Sequence, residues 1–399
     1  MTDEGIPGEV VEVEVLKEKK NYTEAKTLKV LESSPHRKEP RCGHYKTCSP
    51  YQYIDYELQA MIKKEQVSEM LSHNLKLTGI DPVFRPSPDK WHYRNKIHLH
   101  IIRTATSANA AYHVPGTHDE FIRVTECFLV SETVNSLIKS VVEIISSGGI
   151  DFVEEIEIRE KSTRDKILLI MYGNRKTDTD ALRESFKPLG NAYPLCGIVY
   201  INRRRRQSHI VSGSDFLEEN IDGLKFFIGA RSFFQINIPA LEILIKDMKK
   251  LAFPGEVKTL ADFYCGVGTF GMLLASKVSH VIGVEPSGDN TFFLKKNILA
   301  NNIKNFSIHK GTSEQWAGRI LKEKIDLVIL DPPRVGLTDT VARALSGKPV
   351  PHLAYISCNP STLMRDLKIL LGSYKLKHIY IYDFFPHTPH IETLAVLER

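Results

Sequence analysis

Long apolar runs are missing from this chain, and no stretch approaches the ~18 residues needed to span a bilayer, so a membrane helix is not expected. Cysteine is sparse: six in 399 residues, at positions 42, 48, 127, 196, 265 and 358. That scatter excludes a disulfide framework and leaves each cysteine as packing, ligand or nucleophile. Charge of one sign is also scarce, with 53 basic against 48 acidic residues and a net +5. The balance is compatible with a nucleic-acid partner and does not specify one. The first residues carry neither a basic n-region nor an apolar h-region, so secretion is not expected and a cytosolic location is.

What is present is globular in texture, with 42% hydrophobic and 25% charged residues. The length implies two or three domains. Residues 10–15 alternate apolar and acidic side chains, as a strand does, and 27–31 look like the partner strand. A polar, proline-punctuated linker covers 33–40, and 56–75 read as a helix with Leu58, Ile62, Val67, Met70, Leu71 and Leu75 on one face. Between 91 and 222 the pattern is strand-rich, with 96–102, 167–171 and 198–202 as strands and 133–145 as a helix. From 226 onward strands alternate with helices: strands at 257–262, 279–285, 324–330 and 352–357, helices at 239–252, 269–276, 290–302 and 361–371. That order implies a doubly wound parallel α/β sheet. Strands at 378–383 and 392–397 close it as an antiparallel hairpin.

The chemistry-bearing motifs sit at the carboxyl ends of those strands. Asp262-Phe-Tyr-Cys-Gly-Val-Gly-Thr269 is a glycine loop through which backbone can approach a nucleotide-type cofactor. Glu285, nineteen residues after Gly266, is placed to hold ribose hydroxyls. No third glycine follows at dinucleotide spacing, which favours a mononucleoside cofactor such as S-adenosylmethionine over NAD. Asp331-Pro332-Pro333-Arg334 makes a rigid shelf beside the same crevice. Cys358, just before a helix, is a candidate nucleophile whose pKa a helix terminus would lower. Glu392, after the His-rich loop 386–390, is a candidate base. Of the aromatic pair Phe233-Phe234, one ring is a candidate base-stacking platform. Arg203-Arg204-Arg205-Arg206 is the sharpest basic cluster and reads as a solvated strand or hairpin face or a phosphate contact.

Taken in order, Phe-Phe-Gln-Ile-Asn, Tyr-Cys-Gly-Val-Gly-Thr-Phe, Gly-Val-Glu, Asp-Pro-Pro-Arg, Ser-Cys-Asn-Pro and Phe-Pro-His-Thr-Pro-His-Ile-Glu resemble the S-adenosylmethionine-dependent RNA uridine-5-methyltransferases. The resemblance implies a Rossmann-like class I methyltransferase domain over 226–399, an α+β central domain over 41–225 and a truncated N-terminal TRAM-like β segment over 1–40. By it, Gln235, Tyr264, Thr269, Glu285, Thr312 and Asp331 line the cofactor site. Thr269 stands where the family often has asparagine. Phe233 and Arg334 hold the base, and Cys358 and Glu392 are the catalytic pair.

Cys42-x5-Cys48, followed by Gln52, Tyr56 and Gln59, resembles the family's iron–sulfur segment, with Cys127 as the distant ligand. Tyr51 replaces the expected third cysteine. The resemblance therefore leaves two readings, a cluster with one non-cysteine ligand or a decayed remnant. The expected partner is RNA, 23S rRNA ahead of the tRNA T-loop, and the expected state is a monomer. Two rival readings stand against this one. Amino-group methylation of a purine would leave Cys358 idle, and a non-catalytic RNA-binding protein would not need both Cys358 and Glu392.

Overall fold

The computed structural model describes residues 4–20, 22–104, 107–175, 178–253 and 255–399. The chain begins as an antiparallel hairpin of β1 (Val10–Lys19) and β2 (Tyr22–Glu32). Glu9 fastens its base, taking two hydrogen bonds from the Arg37 guanidinium at 2.7 and 2.6 Å. That cation holds the Glu9 carboxyl down at about 2.

A short helix α1 (Tyr45–Cys48) and a long helix α2 (Tyr56–Leu75) follow. Helix α2 begins where the Asp55 carboxylate accepts the Leu58 N–H at 2.9 Å, and it ends at Lys76 in the left-handed region. Its Val67 and Leu71 enter the same core as Leu363 and Leu367 near the C-terminus. Strand β3 (Val83–Arg85) then adds itself to the edge of the C-terminal sheet.

The central region is a sheet of seven strands. It comprises β4 (Lys96–Arg103), β5 (Ala108–His113), β6 (Phe121–Arg123), β7 (Glu155–Glu160), β8 (Ile167–Gly173), β9 (Leu195–Asn202) and β10 (Gln207–Gly213). Their spatial order is β10-β9-β8-β7-β4-β5-β6. Helices α3 (Glu132–Ser147) and α4 (Thr179–Ala192) bury one face, where Ile97, Leu99 and Ile101 of β4 point. A hairpin of β11 (Phe216–Ile221) and β12 (Leu224–Gly229) covers part of the other face, its Leu217 packing on Leu168, Ile170 and Val199.

The C-terminal region alternates as its sequence implies: α5 (Ile238–Leu251), β13 (Thr259–Phe263), α6 (Thr269–Leu274), β14 (His280–Glu285), α7 (Gly288–Ala300) and β15 (Phe306–Lys310). It continues through α8 (Ser313–Ile320), β16 (Leu327–Leu330), α9 (Asp339–Gly347), β17 (His352–Ser357), α10 (Pro360–Leu370), β18 (Lys375–Tyr382) and β19 (Glu392–Glu398). The sheet order is β15-β14-β13-β16-β17-β19-β18-β3, with β19 antiparallel to both neighbours. The central parallel strands are largely apolar on both faces because helices cover both: Leu260 faces one core, Ala261 and Phe263 the other. The order of connection reverses at β13 and β16, so a crevice opens at their carboxyl ends, where such folds bind ligands.

Of the two placements expected for the arginine run, strand or hairpin, the structure has the hairpin. Arg203 to Arg206 form the tight turn between β9 and β10, with Arg206 at φ 55°. Arg203 folds back to pair with Glu155 while the other three stay exposed.

Candidate active site at the carboxyl ends of the parallel strands

The glycine loop leaves β13 through positive φ at three alternate residues: Tyr264 at φ 67°, Gly266 at 57° and Gly268 at 95°. Only glycine suits the last of these. A Cβ there would sit 2.4 Å from Leu294 Cδ1, whereas one on Gly266 would meet nothing within 4 Å. Space therefore lies on the Gly266 side of the turn. Glu285, at the end of the neighbouring β14, sets the loop's position: its carboxylate accepts the Gly266 N–H at 3.0 Å, the Ser287 N–H at 2.8 Å and Asn290 Nδ2 at 3.0 Å. Oε1 accepts two of these bonds, while Oε2 accepts one and keeps a further lone pair for a hydroxyl.

Below the loop, Asp262 is fully buried and accepts the Gly271 N–H at 2.8 Å. Its Oδ1 has no partner, and burial raises its pKa to about 8. Asp262 is not among the site residues expected from sequence; the signal that could mark it is an acid near a strand end just before glycines. Thr269 is the first residue of α6, half-buried beside the loop. Thr312 caps α8 through a reciprocal capping box with Gln315. Gln235 is buried on the segment before α5, where Asn95 Nδ2 donates to its carbonyl at 3.0 Å. A crevice with an orphaned buried carboxylate oxygen, an open glycine turn and a strand-end glutamate fits a nucleoside-type cofactor.

The catalytic edge is built by β17 and β19. Ser357 is paired with Thr393, so Cys358 and Glu392 are the next residues across the open end of the ladder. Asp331 directly follows the end of the parallel strand β16. Cys358 is half-buried, Glu392 is buried, and Arg334 stands exposed on the adjoining loop. Asn359 couples the two loops: its Nδ2 donates to the Arg334 carbonyl at 3.0 Å while its Oδ1 caps Ser361 N–H at 3.1 Å. Arg365 pins the same shelf from α10, donating to the carbonyls of Val335 at 2.8 Å and Leu337 at 2.9 Å.

The electrostatics reverse one expectation. The net shift runs upward: burial first and the Glu392 carboxylate second push the Cys358 thiol up to about 11, with Arg334 opposing. The cap of α10 is Asn359, and the next residue is Pro360, which has no N–H to give. Glu392 is held well above the usual carboxylate range by burial and the Asp331 charge, against Arg334. Asp331 is itself raised by burial to about 7.

Behind Glu392 stands a support that the sequence reading missed. Lys63 on α2 donates to Asp383 Oδ1 at 2.7 Å and to the Phe385 carbonyl at 3.1 Å. Gln59 Oε1 accepts the His387 N–H at 2.9 Å, and Tyr93 Oη donates to the Pro386 carbonyl at 3.1 Å. His387, at φ 64°, stacks on Trp91 with ring centroids 3.8 Å apart. An amphipathic reading of α2 finds Val67 and Leu71 but not the long-range bonds of its buried Gln59 and Lys63, to His387 and Asp383 more than 300 residues away.

The three cysteines of the expected iron–sulfur segment do come together. Cys42 contacts Cys48, Cys48 contacts Cys127, and the buried His44 faces Cys127 and Cys42. The Cys48 contact is the main cause lowering Cys42 to about 5. Tyr51, at the position of the missing cysteine, packs instead with Ile6, Tyr53 and Ile54. Among the described residues no group of three or more His, Cys, Asp or Glu side chains is arranged to hold a metal ion. Cys42, Cys48 and Cys127 thus do not make the four-thiolate set of a cubane cluster.

Comparison with known proteins agrees with this architecture. The chain is 30% identical to an RNA methyltransferase of Clostridium tetani, covering 99% of this chain and 91% of that one. It is 28% identical to an RNA methyltransferase of Bacillus cereus over 99% of this chain and 90% of that one. Among solved structures, the Pyrococcus abyssi tRNA (uracil-54, C5)-methyltransferase in complex with S-adenosyl-L-homocysteine superposes with a TM-score of 0.77 at 25% identity, over 99% of this chain and 95% of that one. Residues 55–399 match the tRNA (Uracil-5-)-methyltransferase family. With its methyltransferase sheet and strand-end crevice, the chain belongs to the tRNA (Uracil-5-)-methyltransferase family of S-adenosylmethionine-dependent RNA methyltransferases.

Proposed function

We propose that the protein methylates carbon 5 of a flipped-out uridine through a transient covalent bond to Cys358. The observation that carries this reading is the placement of Cys358 and Glu392 directly across the open end of one ladder, with Asp331 and Arg334 in electrostatic reach of both. Carbon 5 of uracil is a weak nucleophile. Addition of the Cys358 thiolate to carbon 6 pushes electron density to carbon 5 and the 4-oxygen, making an enolate. S-adenosylmethionine supplies the methyl group as an electrophilic sulfonium. Glu392, as carboxylate, then takes the carbon 5 proton, and reforming the 5,6 double bond expels the thiolate.

Arg334 serves two ends in this scheme, favouring the thiolate and steadying the developing enolate. Phe233, 64% exposed, presents a ring for the extruded base. Gln235, Tyr264, Thr269, Glu285, Thr312 and Asp331 form the cofactor wall.

The RNA we assign is a tRNA T-loop. Supporting it is the likeness to the Pyrococcus abyssi tRNA enzyme over 95% of that chain, N-terminal segment included. An N-terminal segment of this kind therefore does not favour 23S rRNA, the RNA first expected. Incubating the protein with labelled S-adenosylmethionine and either a tRNA transcript or a 23S rRNA fragment, followed by nucleoside analysis, tests both assignments. 5-Methyluridine in the tRNA is expected; label only in the rRNA fragment overturns the substrate. With 5-fluorouridine RNA, a stable adduct that Cys358→Ala abolishes is expected, and its absence from the wild type sinks the covalent route.

A further inference from the structure

We propose that Val335 is a wedge: its side chain enters the RNA stack at the place the target uridine has left and so holds the extruded state open. The inference rests on the proposed methylation of a flipped-out uridine and deepens it by naming the residue that fills the gap.

Arg334 and Val335 are the two corner residues of a β-turn, closed by the Gly336 N–H donating to the Pro333 carbonyl at 2.8 Å. Arg334 acts on the charges of both Cys358 and Glu392, so the tip of this turn stands at the mouth of the catalytic edge. Val335, its neighbour on the tip, is 69% exposed. Turn corners favour Gly, Pro, Asn, Asp and Ser, each for a local backbone reason. A valine supplies none of those reasons. What it does supply is an apolar, β-branched side chain that is stiff at χ1.

The turn is also anchored more firmly than a solvated tip requires. The Arg334 carbonyl accepts from Asn359 Nδ2 at 3.0 Å and Thr362 Oγ1 at 3.3 Å, and the Val335 carbonyl accepts from the Arg365 guanidinium at 2.8 Å. Just beyond, the Leu337 N–H donates to Asp366 Oδ2 at 2.8 Å, and this buried carboxylate also accepts the Tyr355 hydroxyl at 2.6 Å. Gly336, at φ 76°, lies so close that a Cβ there would come within 2.5 Å of Asp366 Oδ2. Thr362, Arg365 and Asp366 all belong to α10, which begins two residues after Cys358. Nucleophile and tip are therefore parts of one rigid body, and Val335 is delivered to a fixed point relative to Cys358.

That combination suits one task at this place. Extruding a base breaks its stacking on both neighbours and opens a gap between them. Apolar side chains inserted between base steps fill gaps of this kind. Here the wedge and Arg334, the base-holding arginine, share one turn. Entry of Val335 and capture of the extruded ring are then a single docking event.

Binding of fluorescent RNA, measured without cofactor, tests the wedge separately from the chemistry. Val335→Ser should bind a T-loop stem–loop about tenfold more weakly than wild type, and Val335→Ile should bind it about as well. The same stem–loop with abasic sites on both sides of the target uridine offers no stack to enter, so all three forms should bind it alike. A disturbed turn that merely misplaced Arg334 would weaken both RNAs equally. Equal losses on both RNAs, no loss on the intact stem–loop, or an isoleucine variant as weak as the serine variant overturns the wedge. Because Val335 is exposed, an unaltered melting curve checks that the variants are folded. Failure of the wild type to trap 5-fluorouridine RNA would instead count against the covalent reading and leave these affinities unaffected.

Discussion

Lys63 and Asp383 form an ion pair of 2.7 Å between side chains that are each 1% exposed, one on α2 and the other where β18 turns toward Glu392. Burial lowers the Lys63 pKa while Asp383 opposes the shift. The pair tethers an N-terminal helix to the loop that presents the proposed base, and the second Lys63 bond, to the Phe385 carbonyl, holds the loop's backbone.

Lys63→Met should therefore cost about 3–5 kcal/mol, because it strands a buried carboxylate. Adding Asp383→Leu should restore most of that stability by removing the unpaired charge. Turnover should stay low in the double variant, since the Phe385 carbonyl still lacks its donor. Chemical denaturation and methyl-transfer rates, measured on both variants, check the split. Recovery of both together would show that the pair acts on stability alone.

The two loop glycines should differ sharply. Gly268→Ala forces a Cβ to within 2.4 Å of Leu294 Cδ1 at φ 95°, and overpacking of this kind costs about 1–3 kcal/mol. Gly266→Ala places its Cβ in open space at φ 57°, at a cost of about 1–2 kcal/mol for the left-handed conformation. Space open in the protein alone is space a cofactor can fill. Calorimetric titration with S-adenosylmethionine should therefore show weakened binding for Gly266→Ala out of proportion to its small loss of stability. Gly268→Ala should lose both together.

The legible parts of the fold are those where one local pattern has one outcome. The α2 pattern gives the observed bounds, Tyr56–Leu75, because Asp55 caps its start and its apolar face repeats at helical spacing. The alternating strands and helices after residue 226 give the parallel sheet. Illegible are β5, β6, β10, β11 and β12: each pairs in a hairpin with a sequence neighbour, but their side chains show no clean polar–apolar alternation. Helices α8 and α9 escaped notice for a different reason: at eight and nine residues they show barely two turns of period. In the candidate site, motif residues such as Asp331 and Cys358 are visible because they cluster in sequence. Their supports, Lys63, Gln59 and Tyr93, are not, because only the folded chain brings them near the 383–391 loop. The Cys358 electrostatics misled because proximity to a helix start was weighed without the burial that outweighs it.

Asn359 is the joint between the shelf that carries Arg334 and the turn that carries Cys358. Asn359→Ala removes its cap on Ser361 and its bond to the Arg334 carbonyl. Loss of the cap should cost about 1 kcal/mol. Loosening Arg334 should lower kcat by about ten- to a hundredfold, as small misplacements at reacting groups do, while cofactor affinity stays near wild type. Asn359→Asp keeps a capping oxygen but sets a carboxylate against the Arg334 carbonyl. It should restore stability without restoring kcat, and steady-state kinetics beside melting curves would separate the two effects.

Cys358 reactivity should depend on pH in a direction the site fixes. Its thiol is raised to about 11, chiefly by burial and next by Glu392, with Arg334 opposing. A raised pKa means that the reactive thiolate is a small fraction at neutral pH and grows about tenfold per unit until the pKa is reached. Glu392 is raised as well, and its carboxylate is the form that can accept a proton. Both groups therefore push kcat/KM, which reports the free enzyme, upward through the neutral and alkaline range. Alkylation of Cys358 by iodoacetamide, followed by mass spectrometry of its own peptide, isolates the thiol from Cys42, which is lowered to about 5 and reacts at neutral pH. Glu392→Gln should move the alkylation midpoint down by removing a neighbouring charge, but only partway, since burial remains. Arg334→Ala should move it up. A wild-type midpoint below 8, or shifts of the opposite sign in the two variants, would contradict the electrostatic account and return the helix terminus as the dominant influence on the thiol.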